Sequence, residues 1–194
     1  MQAYYLNHKN YCVKYYKTAI IMQRFTISVF SENFIGLMHR ISIVFTRRHL
    51  NIESIIASES ELEGIYRYTI VLTTTEEQII KVVKQLEKLV DVLKAFYHKE
   101  EETIFQEIAL YKLPTAAFSS SNAEQLVRKH HARILTVTKE FTVIEKTGYK
   151  EETQALLEEF QAIGVLEFAR SGRVSITKPM KELASYLQEL EAMH

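Results

Sequence analysis

The hydrophobic residues of the first half of the chain recur with periods of two and of about 3.6, which predicts alternating strands and helices. The pattern of residues 24–31 alternates, so Phe25, Ile27 and Val29 should lie on the buried face of a half-buried strand. Thr75 precedes a second helical pattern and suits its N-cap. The predicted elements are a strand at 24–31, a helix at 32–50, strands at 52–60 and 64–74, a helix at 75–89 and a strand at 91–98. This βαββαβ order is that of a ferredoxin-like unit.

The same order of elements recurs in the second half. The predicted elements are a strand at 105–113, a helix at 119–131, a hairpin around Lys139, a helix at 149–164 and a closing strand at 165–172. Leu183, Tyr186, Leu187 and Leu190 share one helical face, which predicts an amphipathic C-terminal helix. We therefore expect an α+β protein of two consecutive ferredoxin-like βαββαβ domains, each an antiparallel sheet with helices on one face. The predicted division is a first domain at 22–99, a linker at 100–104, a second domain at 105–178 and a C-terminal helix at 179–194.

Residues 1–21 differ from the rest of the chain. They are dense in Tyr, Lys and Asn, and their only apolar run, at 19–22, is too short for the apolar region of a secretory signal. We interpret the segment as a disordered extension, or as the product of an upstream start codon with Met22 as the true first residue.

The charge balance and cysteine content exclude several classes of protein. The 24 basic residues cancel the 24 acidic ones, so the chain lacks the basic surplus of a dedicated nucleic-acid-binding protein. A single cysteine, Cys12, excludes an internal disulfide framework and a Cys-rich zinc site. No apolar run is long enough to cross a membrane as a helix. A cytoplasmic protein without nucleic-acid or membrane partners is expected.

The sequence contains no recognisable catalytic motif. A Gly-rich phosphate loop and a nucleophile elbow are both missing, and His130 and His131 are adjacent, so they would not share a helix face for a metal. The abundant carboxylates have structural explanations, such as the acidic start of the helix at 149–164. We predict no catalytic residue, no metal and no cofactor bound by this chain.

The junction of the first strand and the first helix is the best candidate for a binding site. Asn33 and Gly36 lie where free backbone N–H groups at the helix start could bind an anion, and Gly36 leaves room for a ligand. Asn51 is expected at the start of the second strand, beside or near the first, and its amide offers an acceptor and two donors. Together these groups could bind the carboxylate and ammonium of an amino acid. The alternative is that Asn33 only caps a helix and Asn51 only fills a turn.

Several motifs, in fixed order, resemble the regulatory small subunit of acetolactate (acetohydroxyacid) synthase, whose N-terminal part is an ACT domain. The resemblance covers residues 22 to about 178. Its motifs are Glu32-Asn33, Gly36, Arg40, Asn51-Ile52-Glu53-Ser54, Lys88-Leu89-Val90-Asp91-Val92 and Glu167-Phe168-Ala169-Arg170-Ser171-Gly172.

The resemblance implies a chain that is not an enzyme on its own. It implies a partner, the large subunit, that carries thiamine diphosphate, Mg²⁺ and FAD and begins the synthesis of branched-chain amino acids. The small subunit would activate this partner and confer feedback inhibition by valine or a related amino acid. It would form a homodimer through the ACT domain, with the effector in the interface. The effector-binding residues implied are Asn33, Gly36, Leu37, Asn51 and Ile52. In particular, Leu37 and Ile52 would receive the aliphatic side chain of the effector.

One residue departs from the family pattern, and one alternative function stays open. Ile56 stands where the family commonly has a small polar residue, which could alter effector choice or sensitivity. A stand-alone ACT-domain sensor or transcriptional regulator is the alternative, although the sequence shows neither a helix-turn-helix nor a basic arm. An RNA-recognition motif is disfavoured because residues 64–72 lack its Gly-aromatic pattern. The valine, leucine and isoleucine side chains differ too little for the sequence to separate them.

Overall fold

The computed structural model describes residues 21–120 and 122–178. The extension predicted at 1–21, apart from residue 21, and the helix predicted at 179–194 therefore lie outside the described residues. The first six elements are β1 (Gln23–Glu32), α1 (Leu37–Thr46), β2 (Ser54–Glu59), β3 (Ile65–Thr74), α2 (Glu76–Leu86) and β4 (Val92–Lys99). We call these elements the N-terminal unit. They form an antiparallel sheet of strand order β2-β3-β1-β4 and confirm the predicted βαββαβ order.

Both helices of the N-terminal unit bury the predicted apolar stripe against one face of this sheet. The fully or almost fully buried residues of α1 are Leu37, Ile41, Val44 and Phe45, and those of α2 are Ile79, Val82, Val83 and Leu86. Thr75 caps α2 as predicted, since its hydroxyl accepts a hydrogen bond from the Gln78 N–H (3.3 Å). Gly64 has φ +78° in the β2–β3 connection, which glycine adopts without strain.

A 3₁₀ turn at Glu100–Glu102 leads into the second half of the chain. Its elements are β5 (Thr103–Pro114), α3 (Thr115–Ser120), α4 (Ala123–Lys129), β6 (Arg133–Val137), β7 (Phe141–Gly148), α5 (Lys150–Gln161), β8 (Glu167–Arg170) and β9 (Val174–Thr177). We call them the C-terminal unit. They form a second antiparallel sheet of order β6-β7-β5-β8, with β9 also paired to β5. The fold class is thus confirmed, whereas the domain boundaries stay predictions.

The core of the C-terminal unit is centred on Tyr111 of β5. This residue is fully buried between Phe160 of α5 and Phe168 of β8, at ring-centroid distances of 5.4 and 5.3 Å. Its hydroxyl donates a hydrogen bond to the Thr153 carbonyl (2.6 Å), and burial raises the pKa of Tyr111 to about 12. The buried hydroxyl therefore stays protonated and fixes α5 over the sheet.

The C-terminal unit differs from the prediction in one helix and in one strand. The single helix expected at 119–131 is replaced by two short helices, α3 and α4. Asn122 is the N-cap of α4, and asparagine favours helix starts over helix interiors. The strand β9 was missed, although Val174–Thr177 alternates apolar and polar residues as strands do.

The strands β8 and β9 pair one after the other with different parts of β5. Pairing runs from Lys112 with Glu167 to Thr103 with Thr177, and it is interrupted at residues 171–173. We call residues 171–173 the bulge. Ser171 ties it to β5, because the Ser171 N–H donates to the Ile108 carbonyl (2.8 Å) and its hydroxyl accepts from the Ile108 N–H (2.9 Å).

The bulge contacts the face of the first sheet that carries no helices. A Cβ added to Gly172 would lie 2.9 Å from Ile56 Cγ1 of β2, so glycine is required for this close approach. Arg67 of β3 also donates to the Ser28 hydroxyl (3.1 Å) and to the Ser175 carbonyl (2.7 Å). Consistent with this cover, Thr26, Ser28, Thr69 and Val71 are buried. The prediction that β1 is buried on one face only was therefore wrong.

His98 of β4 lies on this covered face, opposite Thr26. Burial lowers the pKa of His98; the Glu102 carboxylate opposes this effect and Arg67 adds to it. The unfolded chain therefore binds a proton at higher pH than the folded chain does. We expect stability to be lost as the pH falls from 7 through the ordinary histidine pKa of about 6.5.

Urea unfolding at pH 7, 6 and 5 checks this expectation. The His98→Gln variant should show a smaller fall in the unfolding midpoint than the wild type. The matched control is His39→Gln on the exposed side of α1, which should retain the wild-type dependence. Equal pH dependence in all three proteins would contradict the assignment of the effect to His98.

Candidate functional site

The turn between β1 and α1 is open, and the residue that begins the helix has a left-handed backbone conformation. Gly36 is the N-cap of α1 with φ +85°, and a Cβ placed there would meet no atom within 4 Å. Asn33 and Gly36 are both exposed. The turn therefore has the room around Gly36 that the sequence predicted.

The first turn of α1 keeps backbone donors available. Among the described residues no side chain caps this helix and none of its first residues is acidic, in contrast to α2 with its Thr75 cap and two glutamates. The Leu37 N–H is engaged by the Phe34 carbonyl (3.3 Å). Exposed N–H groups at a helix start attract a carboxylate, because they lack intrahelical acceptors and carry the positive end of the helix dipole.

The side chains at this turn differ from those expected. Leu37 is 0% exposed within the core, so only its backbone can face the turn. The exposed apolar residues are instead Phe34 (55%), Ile35 (97%) and Met38 (46%). Sequence reasoning missed them, although they are apolar residues outside the buried stripe of α1. Such a patch on a small unit indicates a surface that another molecule covers.

Arg40 connects this turn to Asp91, the residue before β4. Its guanidinium pairs with the Asp91 carboxylate and lies over the Phe34 ring, 5.3 Å from the centroid. Two residues of the family pattern thus fix the position of the turn. Their pairing explains why an arginine in α1 and an aspartate before β4 occur together in this chain.

Asn51 and Ile52 lie at the other end of the sheet. Thr26 of β1 and Ser54 of β2 are both opposite Val71 of β3, so β2 starts beside the beginning of β1 and not beside its end. From Thr26 to Glu32 the strand rises about 20 Å. Asn51 and Asn33 of one chain therefore lie at opposite ends of the sheet, and β3 separates the two strands. A joint role of the two residues in binding one ligand stays a prediction.

The remaining sequence-predicted residues have these positions. Asn51 is exposed, and Ile52 is half-buried against the core of the N-terminal unit. Ile56 contacts Gly172 of the bulge and not the turn at Gly36. The departure from the family pattern at Ile56 thus lies at the contact between the two units.

The second motif, Glu167–Gly172, forms β8 and the start of the bulge. Arg170 Nε lies 3.5 Å from a Glu107 oxygen, and Arg170 Nη1 donates to the Thr153 hydroxyl (3.2 Å). The motif therefore connects β8 with β5 and α5 and leads directly into the contact with the N-terminal unit.

The described residues contain no cluster of His, Cys, Asp or Glu suited to a metal ion. In the same part of the chain, no helix has both the length and the apolar character needed to cross a membrane.

The fold and motifs define a protein of two ferredoxin-like units, the first of the ACT type. Residues 27–94 match the model of an AHAS small subunit-like ACT domain, and residues 106–179 match that of the small subunit of acetolactate synthase. The acetolactate synthase small subunit of Mycolicibacterium smegmatis is 33% identical over 153 residues, which cover 79% of this chain and 90% of that protein. That of Bacillus subtilis is 30% identical over 151 residues, covering 77% and 88%.

A solved structure agrees with these matches. The acetolactate synthase small subunit from Thermotoga maritima superposes with a TM-score of 0.74 at 29% identity, covering 82% of this chain and 99% of that chain. This chain belongs to the family of acetolactate synthase small subunits. It is a regulatory subunit of an enzyme complex whose catalytic partner is the large subunit, and the complex serves branched-chain amino acid biosynthesis.

Proposed function

We propose that this subunit activates the large subunit of acetolactate synthase and confers feedback inhibition by a branched-chain amino acid, with valine as the first candidate. The large subunit would supply thiamine diphosphate, Mg²⁺ and FAD, and this chain would bind none of them. The observation that carries the proposal is the uncapped start of α1 at Gly36 within an exposed apolar turn.

The chemistry of the turn suits an amino acid with an aliphatic side chain. The free N–H groups of α1 would bind the carboxylate, and the amide oxygens of Asn33 and Asn51 would accept from the ammonium. Ile52 and the apolar residues of the turn would surround the aliphatic group. This division of polar and apolar groups is what a pocket for valine needs, and it gives little discrimination from leucine or isoleucine.

The separation of Asn33 from Asn51 supports a homodimer. The strand β2 is an edge strand, so it can pair with β2 of a second copy related by a two-fold axis. Antiparallel pairing would place the start of one β2 towards the end of the sheet that carries the other copy's Gly36 turn. Asn51 of one copy could then approach Asn33 of the other, which the distance within one chain does not allow.

We expect a dimer in solution, and sedimentation velocity tests it. Ile35→Glu places a charge on the apolar turn and should shift the protein towards monomer while leaving it folded, because Ile35 is almost fully exposed. Leu166→Glu is the matched control on the C-terminal unit, and it should remain dimeric. A monomeric wild type at micromolar concentration, with and without valine, would contradict the proposed dimer.

The function is tested by co-purification with the large subunit, followed by assays of acetolactate formation. We expect the complex to be more active than the large subunit alone and to lose activity when valine is added. Failure to co-purify, or equal activity with and without this subunit, would refute the proposed activation. Activation without any response to valine, leucine or isoleucine would refute the proposed feedback.

A further inference from the structure

A pocket of about 370 Å³ lies between the two units, away from the turn at Gly36. Its volume is within the range of small-molecule sites. The N-terminal unit contributes Arg24, Val71, the first residue of β2 and Glu53, which precedes it. The C-terminal unit contributes Glu107, the start of α5, the end of β8 and the bulge. The family motif that ends at Gly172 therefore forms one wall of this pocket.

Cationic side chains outnumber carboxylates around the pocket. Arg24, Lys150, Arg170 and Arg173 line it, against Glu53 and Glu107. Both carboxylates already have partners, since Glu53 lies 3.2 Å from Arg24 Nε and Glu107 lies 3.5 Å from Arg170 Nε. Glu100 pairs with Arg173 (3.0 Å) and lies 3.8 Å from Arg24. Even with Glu100 included, four cations face three carboxylates.

The excess of positive charge is one observation that points to a ligand, and the buried side chain of Arg173 is a second. It is 3% exposed, and its guanidinium stacks on the Phe105 ring at 3.5 Å from the centroid. Only Nη2 has a hydrogen-bond partner, Glu100, whereas Nε and Nη1 have none among the described residues. Buried N–H groups without acceptors are unfavourable, and a guanidinium binds two oxygens of one oxyanion especially well.

We propose that this pocket binds a phosphate group through Arg173 and Lys150, with Arg24 and Arg170 completing a positive wall. A phosphate has more acceptor oxygens than a carboxylate, so one group can bind Arg173 and Lys150 at the same time. The group binds across the contact between the units, because Arg24 comes from β1 and the other cations come from the C-terminal unit. Its occupancy would therefore hold the bulge against the first sheet.

The experiment is calorimetric titration of the full chain with inorganic phosphate, glycerol 3-phosphate or acetate at constant ionic strength. We expect saturable binding of phosphate with a Kd of about 1 mM or tighter, and weaker binding of acetate. Tighter binding of glycerol 3-phosphate would identify a phosphate ester as the ligand, and equal or weaker binding would identify free phosphate. Acetate that binds as well as phosphate, or a wild type that binds neither phosphate compound, would overturn the proposal.

Three variants define the location of binding. Arg173→Gln and Lys150→Met should each weaken phosphate binding by about tenfold or more. Lys150 is exposed, so its variant keeps the test valid if Arg173→Gln fails to fold. Lys139→Met, in the hairpin at the opposite end of β7, is the matched control and should bind as the wild type does. Wild-type affinity in Lys150→Met, or an equal loss in Lys139→Met, would overturn the assignment.

Discussion

Gly36→Asp is expected to abolish valine inhibition while the variant still folds and activates the large subunit. The substitution places a carboxylate at the start of α1, where the proposed ligand carboxylate binds, so the two charges repel each other. The new Cβ meets no atom within 4 Å, so the cost of the substitution is the backbone strain at φ +85° and not a clash. The free energy that couples effector binding to inhibition is typically about 1–3 kcal/mol, and it is lost when the effector no longer binds. Most of the inhibition should therefore disappear. Calorimetry with valine and the inhibition assay provide the two measurements.

Matched variants separate charge from backbone strain. Gly36→Asn has the same size and the same left-handed φ as Gly36→Asp but no charge, so it should retain more valine binding. Gly64→Asp introduces the same residue at φ +78° in the β2–β3 connection and should leave valine binding unchanged. Asn51→Ala should weaken binding by about 1–3 kcal/mol, because its partner on the ligand loses a hydrogen bond. Wild-type valine affinity in either Gly36→Asp or Asn51→Ala would refute the proposed site.

Gly172→Ala is expected to lower the free energy of unfolding by about 1–3 kcal/mol, the usual cost of overpacking. Its Cβ would lie 2.9 Å from Ile56 Cγ1 and 3.2 Å from Ser54 Cβ, so the bulge must move away from β2. Ile56→Ala removes the first of these atoms. The double variant should therefore be less destabilised than the sum of the two single variants.

A double-mutant cycle by chemical denaturation measures this coupling. The control cycle combines Gly172→Ala with Ile65→Ala on β3, and its effects should be additive. Additive effects in the Ile56 cycle would show that the bulge does not pack on β2 as described.

The elements of the N-terminal unit could be predicted because each depends on a local pattern. Phe25, Ile27 and Val29 alternate on β1, and Thr75 caps α2 through a hydrogen bond to a residue only three positions away. Burial of the other face of β1 could not be predicted in this way. Thr26 and Ser28 are polar, and they are buried by contacts with residues more than a hundred positions away in the chain, such as the Arg67–Ser175 hydrogen bond beside Ser28.

Candidate residues for the site could be proposed from the sequence, but their arrangement could not. Asn33, Gly36 and Asn51 could be found from local sequence and from resemblance to a family. Their distribution over opposite ends of the sheet depends on strand order, which short patterns do not determine. Leu37 shows the same limitation. The helical pattern predicts that its side chain is buried in the core, and a side chain buried there does not contact a ligand in the turn.

The 3₁₀ turn at Glu100–Glu102 has a practical consequence for dividing this protein into fragments. Glu100 pairs with Arg173, and the backbone carbonyls of Glu101 and Glu102 accept from Lys178 beyond β9. A gene fragment that starts at Thr103 would lose all these acceptors and would release the far end of β9. A fragment that starts at Lys99 would retain them, so a screen for separately expressed halves should place the cut on the N-terminal side of the acidic turn.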